Sequence, residues 1–454
     1  SGIAVGERVG DLPYVGLAPA AGLAFVQLGD GVPGIDDEDL AWSTSVCDGV
    51  AWIGGLAAAR GEPAVVNMSL GTHEGPHDGS SLANRCLDNL AGPGLVLVAA
   101  AGNEGSGGED PDGEWTHLHA QATATEEGVE LDFWPNTDEG KIPVVFWTND
   151  DVDLEVWIGA WDGADLAWSP EGYSAATIYE EFELSPSGVP VGAVTAIGSE
   201  LASGARGLRF DVYDDDEDSY ETQLTWVFAV SGNGRFDAFL DTTSTSGFYD
   251  KDEPGITIDD RMSIGYPADG PEVLAAAAWV TRSGWTASNG VSWDSEDIVD
   301  DIAYFSSMGP GRRPELTGLL PDAAAPGEWV ASALNSNAGP DDVDPDDILV
   351  GGMGDPDGFV MEQGTSMASP ALAGAVALML EADRTLDADG VRGLLERSSA
   401  ADSLTGSLPN EVWGRGKVQV FPALAELAGD DDDAADDDDA APPGACSGCS
   451  GGGG

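Results

Sequence analysis

The chain has 454 residues, of which 42% are hydrophobic, so it is long enough for two or three domains with a sizeable core. Its formal net charge is −65, from 82 acidic against 17 basic side chains. Because this charge repels phosphate groups, we expect neither nucleic acid nor an anionic membrane surface as a partner. The charge favours solubility and strengthens the attraction for divalent cations.

We expect no membrane-spanning segment and no signal peptide within these residues. No run approaches the ~18 apolar residues that a spanning helix needs, and there is no signal peptide. The opening "SGIAVG" has the pattern of residues in the middle of a secondary-structure element, so we expect the chain to be a fragment.

Residues 1–105 alternate between strand-like and helix-like patterns. This order predicts a parallel sheet with right-handed crossovers and flanking helices, an α/β fold. The predicted elements are a buried strand at 22–28, a helix at 40–59, a strand at 64–70, a helix at 80–91 and a strand at 94–103.

Residues 106–258 have a different texture, with apolar and polar residues alternating at period two between acidic and Gly/Ser turns. This pattern predicts an antiparallel β-sandwich inserted into the α/β domain. Its tryptophans form either a sugar-binding platform or part of a core, and their spacing along strands favours the core. These residues are Trp134, Trp147, Trp157, Trp161 and Trp168.

Residues 259–428 return to the α/β texture, with a strand at 272–280, a helix that begins near Ser366 and a late helix at 387–398. The acidic, Gly-rich tail at 429–454 predicts a disordered linker, the alternative being a spacer before a surface-attachment signal.

The four cysteines are too few for a disulfide-rich scaffold. Cys47 and Cys86 lie on predicted helices, and both a disulfide between them and two free buried thiols are open. Cys446 and Cys449 lie in the tail without the further ligands that a zinc site needs.

The stretch "GTSMASP" (364–370) places Ser366 at the start of an apolar helix. A serine hydroxyl is a nucleophile only if a base removes its proton and donors stabilise the oxyanion that forms. A helix N-terminus supplies part of the second need, and Thr365 suits the cap region.

The stretch "AAAGNEG" (99–105) ends a buried strand in Gly102 and Asn103. Open α/β sheets bind ligands at this edge, where the amide of Asn103 can donate to an oxyanion. In isolation, Asn103 is better explained as a turn residue. Together with "GTSMASP", the oxyanion interpretation is favoured.

These motifs resemble those of the subtilisin-like (subtilase) serine peptidases. "GTSMASPALAG" is similar to the nucleophile motif of that family, and "VVNMSLG" followed by "VLVAAAGNEG" is similar to its substrate strand and oxyanion turn. The segments "IGYPADGPEVLAAAAW", "FSSMGP" and "AAAPGEWVASAL" resemble the blocks that precede the nucleophile. The resemblance covers roughly 1–105 and 259–425, and the insert resembles the jelly-roll-like insertion of some bacterial members.

The resemblance implies a role for each matching residue. Ser366 is the expected nucleophile, and Asn103 the expected oxyanion donor together with the Ser366 N–H. The expected substrate-binding residues, which pair with the substrate backbone or border the pocket for the side chain before the cut, are Ser69, Leu70, Gly71, Ala101 and Gly102.

The sequence departs from the family pattern at the catalytic base. Subtilases run Asp, His, Ser along the chain, and "SGIAVG" matches the segment directly after the histidine, so the resemblance places Asp and His upstream of Ser1. Ala371 stands where the family usually has histidine, at a position that affects packing.

None of the four histidines of the chain is assigned as the base. His73 and His77 are expected in a polar surface loop. His117 and His119 are expected on one strand face, where two ligands alone make a weak metal site.

No cofactor or metal is required by this chemistry. Many subtilases use structural calcium, and the acidic stretches at 214–219 and 340–347 are candidate sites, although solvated loops fit them better. We expect a secreted or surface-attached bacterial serine endopeptidase that acts on polypeptides through an acyl-enzyme. The alternatives are an inactive pseudopeptidase and a peptide- or glycan-binding surface protein.

Overall fold

The structure is a computed structural model that describes part of the chain. The described residues are 2–10, 12–28, 38–109, 115–134, 141–149, 151–188, 190–213, 225–241, 247–249, 255–339 and 343–430. The acidic stretch at 214–219, Cys446, Cys449 and the tail from 431 onward lie outside these residues.

The helices of the described residues are α1 (Gly2–Val5), α2 (Glu38–Arg60), α3 (Leu82–Leu90), α4 (Pro314–Thr317), α5 (Thr365–Ala382), α6 (Ala388–Ser398) and α7 (Val420–Asp430). The strands up to residue 259 are β1 (Ala64–Met68), β2 (Leu95–Ala100), β3 (Gly108–Glu109), β4 (Trp115–His117), β5 (His119–Thr123), β6 (Val129–Trp134), β7 (Lys141–Thr148), β8 (Leu154–Trp161), β9 (Leu166–Trp168), β10 (Glu180–Leu184), β11 (Gly192–Glu200), β12 (Arg206–Tyr213), β13 (Thr225–Gly232), β14 (Arg235–Leu240), β15 (Gly247–Tyr249) and β16 (Ile256–Asp259). The later strands are β17 (Val273–Val280), β18 (Gly284–Thr286), β19 (Ser292–Asp294), β20 (Ala323–Glu328), β21 (Val330–Ala333), β22 (Ile348–Val350) and β23 (Phe359–Glu362).

The first sheet is parallel and follows the order β1-β2-β17-β20. β2 and β17 are direct neighbours, with Val273 opposite Leu97, although the chain between them forms a separate β structure. The predicted fold class, a parallel sheet with helices that is interrupted by antiparallel β structure, is confirmed.

Helices cover both faces of the parallel sheet. α2 and α3 pack on one face, and α5, α6 and α7 pack on the other. Small residues bring α5 close to the sheet: a Cβ at Gly327 of β20 would lie 2.4 Å from the Cβ of Ala278 and 3.0 Å from that of Ala368. This close approach fixes the position at which α5 begins.

The inserted β structure is a sandwich of two seven-stranded antiparallel sheets. We call β10-β11-β12-β7-β14-β5-β16 the docked sheet and β3-β4-β15-β6-β13-β8-β9 the outer sheet. Aromatic side chains from both sheets fill the space between them and are almost fully removed from water. They are Phe133, Phe146, Phe210, Trp226, Phe228, Phe236 and Phe248.

The docked sheet packs on the α/β domain. Its Phe239 ring stacks on His77, with the ring centroids 3.8 Å apart and the planes 4° apart. Asp241, just after β14, accepts hydrogen bonds from Thr72 Oγ1 (2.7 Å) and from the backbone N–H of His73 (2.6 Å). The sandwich therefore covers the loop that follows β1.

The predicted strand at 22–28 is wrong. These residues pair with no described strand, and Leu23 and Phe25 are 63% and 76% exposed. Val26 instead lies against α2, where its Cγ1 would be 3.3 Å from a Cβ at Gly49. An apolar run of β-formers becomes a strand only where a neighbouring strand takes up its backbone hydrogen bonds.

The prediction that strand spacing buries the insert tryptophans holds only for some of them. Trp147 is buried, with 6% of its surface exposed. Trp161 and Trp168 are 44% and 37% exposed, so the core interpretation is wrong for these two. Alternation identifies two faces of a strand, but it does not say which face an adjoining sheet will cover.

The structure joins Cys47 of α2 to Cys86 of α3 as a disulfide, with the Cα atoms 6.2 Å apart. The structure therefore has the disulfide and not the two free thiols that the sequence also left open. The bond links the two helices that pack on the same face of the parallel sheet.

Among the described residues, one helix is long and apolar enough to cross a membrane. It is α5, Thr365–Ala382, and 67% of it is buried inside the protein. Its apolar side chains pack against the parallel sheet.

Arg312 joins three segments at the boundary between the two structures. Its Nη2 donates to Asp78 Oδ2 (2.5 Å), its Nε donates to the Pro76 carbonyl (2.7 Å) and its Nη1 donates to Asn149 Oδ1 in the sandwich (3.2 Å). The side chain of Asp78 is fully buried, and that of Arg312 is 3% exposed.

We predict that Arg312→Met lowers the free energy of unfolding by about 3 kcal/mol, because it leaves the buried Asp78 carboxylate with only the more distant Arg313 Nη1, 3.9 Å away, as a cation. The matched control is Arg261→Met, since the pair of Arg261 with Glu411 is half exposed and its loss should cost less than about 1 kcal/mol. Urea unfolding followed by circular dichroism measures both. Equal losses for the two variants would contradict the prediction.

Glu328, at the end of β20, is a buried carboxyl group without a hydrogen-bond donor among the described residues. Burial, followed by the nearby charge of Asp297, raises the pKa of Glu328 to about 7. Asp297 keeps the negative charge, because Ser295 and Trp329 donate to it and hold its pKa below the usual value despite partial burial.

The pKa of Glu328 is about 7 in the folded protein, against an ordinary value of 4.5. Ionisation therefore opposes folding: the protein loses stability as pH rises from about 4.5 to about 7, relative to a chain with a neutral residue here. We predict that Glu328→Gln gains up to about 3 kcal/mol at pH 8 relative to pH 5.

Thermal unfolding at the two pH values checks this prediction. Glu396→Gln, on the exposed face of α6, is the matched control and should show no such difference. A gain from Glu328→Gln that is the same at pH 5 and pH 8 would show that the carboxyl group does not titrate in this range.

Candidate active site

Ser366 is the second residue of α5 and is half-buried. The preceding Gly364 is the N-cap, with a φ of 136° that side chains other than glycine rarely allow, and its N–H donates to the Gly327 carbonyl (2.9 Å). The first N–H groups of a helix have no partner within the helix. The N–H of Ser366 and the positive end of the helix dipole therefore lie at the same place as its hydroxyl.

Asn103 lies beside this helix start, 263 positions earlier in the chain. Its Oδ1 accepts hydrogen bonds from the N–H (2.9 Å) and the hydroxyl (3.0 Å) of Thr365. A Cβ on Gly364 would lie 3.6 Å from both Asn103 Nδ2 and the Ser366 nitrogen. The structure thus brings together the two residues that the sequence singled out.

Thr365 is not the N-cap residue, but its hydroxyl group connects two segments. Gly364 takes the N-cap position that the sequence suggested for the region of Thr365, and the Thr365 Oγ1 accepts from the Gly102 N–H (3.1 Å) while it donates to Asn103. One hydroxyl therefore connects the end of β2 to the start of α5.

Gly102 has to be a glycine at this turn. Its φ is 115°, and a Cβ would lie 2.5 Å from Glu104 Oε2 and 2.6 Å from Ser307 Oγ. The neighbouring Ala101 is buried and donates its N–H to the Ala276 carbonyl (3.1 Å). Strand pairing ends here and the chain turns so that Asn103 reaches α5.

A chain of side-chain hydrogen bonds fixes the end of β1 to the same helix. Ser369 Oγ donates to Asn67 Oδ1 (2.7 Å), Asn67 Nδ2 donates to Ser69 Oγ (3.1 Å), and Ser69 Oγ donates to the Ser366 carbonyl (2.8 Å). Ser69, a predicted substrate-binding residue, therefore contacts the backbone of Ser366, the predicted nucleophile.

Residues 69–71 leave β1 at the protein surface. The backbones of Ser69, Leu70 and Gly71 make no hydrogen bond to another residue that the structure describes, and pairing resumes only at Thr72, whose N–H donates to the Tyr266 carbonyl (3.0 Å). An extended segment with free N–H and C=O groups can pair with a peptide as an added strand.

A buried acid–base pair that the sequence analysis missed supports the Asn103 turn. Glu104 Oε2 lies 3.1 Å from His73 Nε2 and accepts from Ser307 Oγ (3.1 Å), while the Glu104 N–H donates to that same Ser307 oxygen (3.1 Å). The one sequence signal was that Glu104 directly follows Asn103, since Ser307 is 203 positions away.

Each member of the pair favours the charged form of the other. Burial alone lowers the pKa of His73, but the adjacent Glu104, with smaller contributions from Asp241 and Asp269, outweighs it, so the pKa of His73 is raised. Burial alone raises the pKa of Glu104, and the charge of His73 outweighs that effect, so the pKa of Glu104 is lowered. The neighbouring His77 is buried beside His73, and both effects keep its pKa well below the usual value.

The predicted surroundings of the four histidines are wrong. His73 and His77 are buried and not in a surface loop, because the docked sheet covers them. His117 and His119 lie on different sheets, and they face Asp260 (2.8 Å) and Asp259 (3.0 Å) respectively. No contact in the described part of the chain joins any of these histidines to Ser366.

The described residues contain no group of three or more His, Cys, Asp or Glu side chains placed to hold a metal ion. The first acidic stretch, 214–219, lies outside the described residues, and so do residues 340–342 of the second stretch. In the rest of the second stretch, Asp344 Oδ1 accepts from the Asp346 N–H (2.8 Å).

The arrangement suits the stabilisation of a developing negative charge. The Ser366 hydroxyl, the Ser366 N–H and the Asn103 amide meet at the positive end of a buried helix, next to an unpaired extended segment. Donors held in place before a reaction stabilise an oxyanion without reorganising.

The chain is similar to known proteins. A family model described as "Subtilase family" matches residues 1–154 and 166–418. The "Minor extracellular protease Vpr" of Bacillus subtilis (strain 168) is 26% identical over 182 residues, which cover 39% of this chain and 20% of Vpr. The "Subtilisin-like protease SBT3.4" of Arabidopsis thaliana is 39% identical over 85 residues, 18% of this chain and 9% of that protein.

The chain thus aligns with at most a fifth of the length of these relatives. Among solved structures, the Clostridium perfringens CspB protease matches with a TM-score of 0.67 and 21% identity, over 94% of this chain and 80% of that one. This likeness concerns the fold, and the family match covers most of the sequence. The chain belongs to the subtilase family of serine peptidases.

Proposed function

We propose that the protein is a serine endopeptidase that cleaves polypeptides through an acyl-enzyme on Ser366, with Asn103 as the oxyanion donor. The observation that carries the proposal is the pair of hydrogen bonds from Thr365 to Asn103 Oδ1, at 2.9 and 3.0 Å. These bonds use the oxygen of the amide and leave its NH₂ available to donate to an oxyanion.

In the proposed reaction, Ser366 Oγ attacks the peptide carbonyl carbon and transfers its proton to a base. The carbonyl oxygen becomes an oxyanion that accepts from Asn103 Nδ2 and the Ser366 N–H. The C–N bond then breaks as the base returns the proton to the leaving amine. Water attacks the ester in the same way, releases the new carboxyl group and regenerates the serine.

The proposed base is a histidine upstream of Ser1, oriented by an aspartate that also precedes it. Two observations support this placement. The four histidines of the chain are engaged with groups other than Ser366. The first helix, α1, lies against α5, where a Cβ at Gly374 would be 3.2 Å from the Ala4 carbonyl oxygen. On this proposal residues 1–454 alone turn over substrate slowly.

The proposed substrate groove runs along residues 69–71, whose backbone would pair with the peptide. Ala101 and Gly102 would border the pocket for the side chain that precedes the cut.

A structural calcium ion would be an addition to this site, and the described residues contain no cluster of ligands for it. We place the α/β domain at 1–105 and 259–428 and the insert at 106–258.

We also propose that the protein is secreted or held at the cell surface. The Cys47–Cys86 disulfide supports this location, because disulfides persist in oxidising compartments. The relative Vpr is named as an extracellular protease.

A second candidate function is a pseudopeptidase that binds peptides in the same groove without cutting them. The observation in its favour is that no described histidine contacts Ser366. It predicts peptide binding with neither turnover nor labelling of the serine.

We predict that the protein expressed with its upstream coding sequence hydrolyses casein and is labelled by a fluorophosphonate, and that Ser366→Ala abolishes both. Release of acid-soluble peptides and mass spectrometry of the labelled peptide measure the two effects. Ser403→Ala, in an exposed turn, is the matched control and should keep both. Absence of both activities in the unaltered protein would favour the pseudopeptidase.

We predict that Asn103→Asp lowers kcat by about 10²–10³ with little change in KM, a magnitude already established for such a donor in a subtilisin. The carboxylate keeps an acceptor for Thr365 but replaces the donating NH₂ with a negative charge. Steady-state hydrolysis of a chromogenic peptide measures the effect. The control Asn335→Asp, in an exposed loop, should leave kcat unchanged. An unchanged kcat in Asn103→Asp would remove Asn103 from the mechanism.

A further inference from the structure

The two sheets of the inserted sandwich have different surroundings on their outward faces. On the docked sheet, Val145, Trp147 and Phe239 are buried in a cluster that includes Met262 of the α/β domain. The outer sheet lies on the opposite side of the sandwich core. Its outward face along β8 and β9 keeps large apolar side chains exposed.

Three exposed side chains and the partly buried Trp157 form a strip on one edge of the outer sheet. In β8, Val156, Ile158 and Ala160 point into the core, so Trp157 and Trp161 point outward. β9 continues the same face, because Trp161 pairs with Leu166 and Gly159 pairs with Trp168. We call Trp157, Trp161, Leu166 and Trp168 the tryptophan strip.

Two glycines allow indole rings to lie down on this face. A Cβ at Gly159 would be 2.9 Å from the Trp168 ring and 3.1 Å from Leu166 Cδ1. A Cβ at Gly172, beside β8, would be 2.6 Å from Trp157 Nε1. The rings of Trp157 and Trp168 therefore lie against backbone, and Trp168 still exposes 37% of its surface. The result is a flat aromatic surface, not a pocket.

The polar groups around the strip are acidic. None of the seven strands of the outer sheet contains Lys or Arg, whereas the docked sheet has Lys141, Arg206, Arg209 and Arg235. Glu155 lies near one end of the strip and Asp165 near the other, both exposed. Six residues of extended chain from Glu155 to Trp161 span about 20 Å.

From this arrangement we propose that the tryptophan strip binds a neutral polysaccharide. Sugar rings present a face of C–H groups that packs on the electron-rich face of an indole, and hydroxyl groups around their rims donate to carboxylates. The lack of cations on the outer sheet disfavours acidic polymers. A flat strip of this length suits an extended chain of sugar rings.

The chemistry of the strip favours this ligand over a protein. Protein interfaces combine aromatic residues with Arg and a packed centre, and the described strands of the outer sheet contain no Arg. Tryptophans that only protect the sheet backbone would not need to keep more than a third of their surface in water. This inference does not depend on the proposed peptidase activity.

The experiment is native affinity electrophoresis of the full chain in gels that contain hydroxyethylcellulose, laminarin or galactomannan, with alginate as the acidic comparison. We expect at least one neutral polysaccharide to retard the protein and alginate not to. Trp161→Ala/Trp168→Ala should weaken the retarding affinity by roughly tenfold, since two stacking contacts are lost. Circular dichroism confirms that the variant is folded, and Trp161→Ala alone replaces it if it is not.

The matched control is Trp52→Ala, which removes a 54% exposed tryptophan from α2 and should migrate like the unaltered protein. The proposal is wrong if no neutral polysaccharide retards the protein, or if the double variant is retarded equally. It is also wrong if an apolar peptide quenches the tryptophan fluorescence and the polysaccharides do not, because the face then binds protein.

Discussion

Asn103 Oδ1 accepts two hydrogen bonds from Thr365, and the rest of the site depends on this contact. It fixes the end of β2 to the start of α5, and it uses the oxygen of the amide so that the NH₂ is left to donate. The small residues between α5 and the sheet allow this contact, because they let the helix begin within hydrogen-bond distance of the strand end. The position of Ser366, the proposed nucleophile, is thus a consequence of close packing in the α/β core.

The insert is part of this arrangement and not an appendage. It leaves the α/β domain just after Asn103 and returns before β17, which still pairs with β2 as a direct neighbour. Its docked sheet buries the loop that carries His73, and His73 holds Glu104, the residue after Asn103. In a chain with a net charge of −65, this buried pair and the Arg312–Asp78 pair place scarce cations where two structures meet.

Much of the α/β domain could be predicted from sequence, because long apolar runs and a helix with small residues have few alternative structures. Residues 22–28 could not, since an apolar run needs a neighbouring strand that local sequence does not reveal. The burial of His73 and His77 depends on a docked sheet whose contacts lie far away in the chain. In the same way, alternation marked the two faces of β8 but did not show which of them stays in water. The meeting of Ser366 and Asn103 was expected only from motif resemblance, as their separation in the chain carries no local signal.

The distance along the chain between Asn103 and Thr365 has a consequence for synthesis on the ribosome. The turn that carries the amide emerges first, and 262 residues must follow before its partner exists. Until α5 has emerged and packed, a growing chain has the amide without the helix dipole and without the serine. The order of translation therefore keeps the two halves of the proposed site apart until most of the polypeptide has been made.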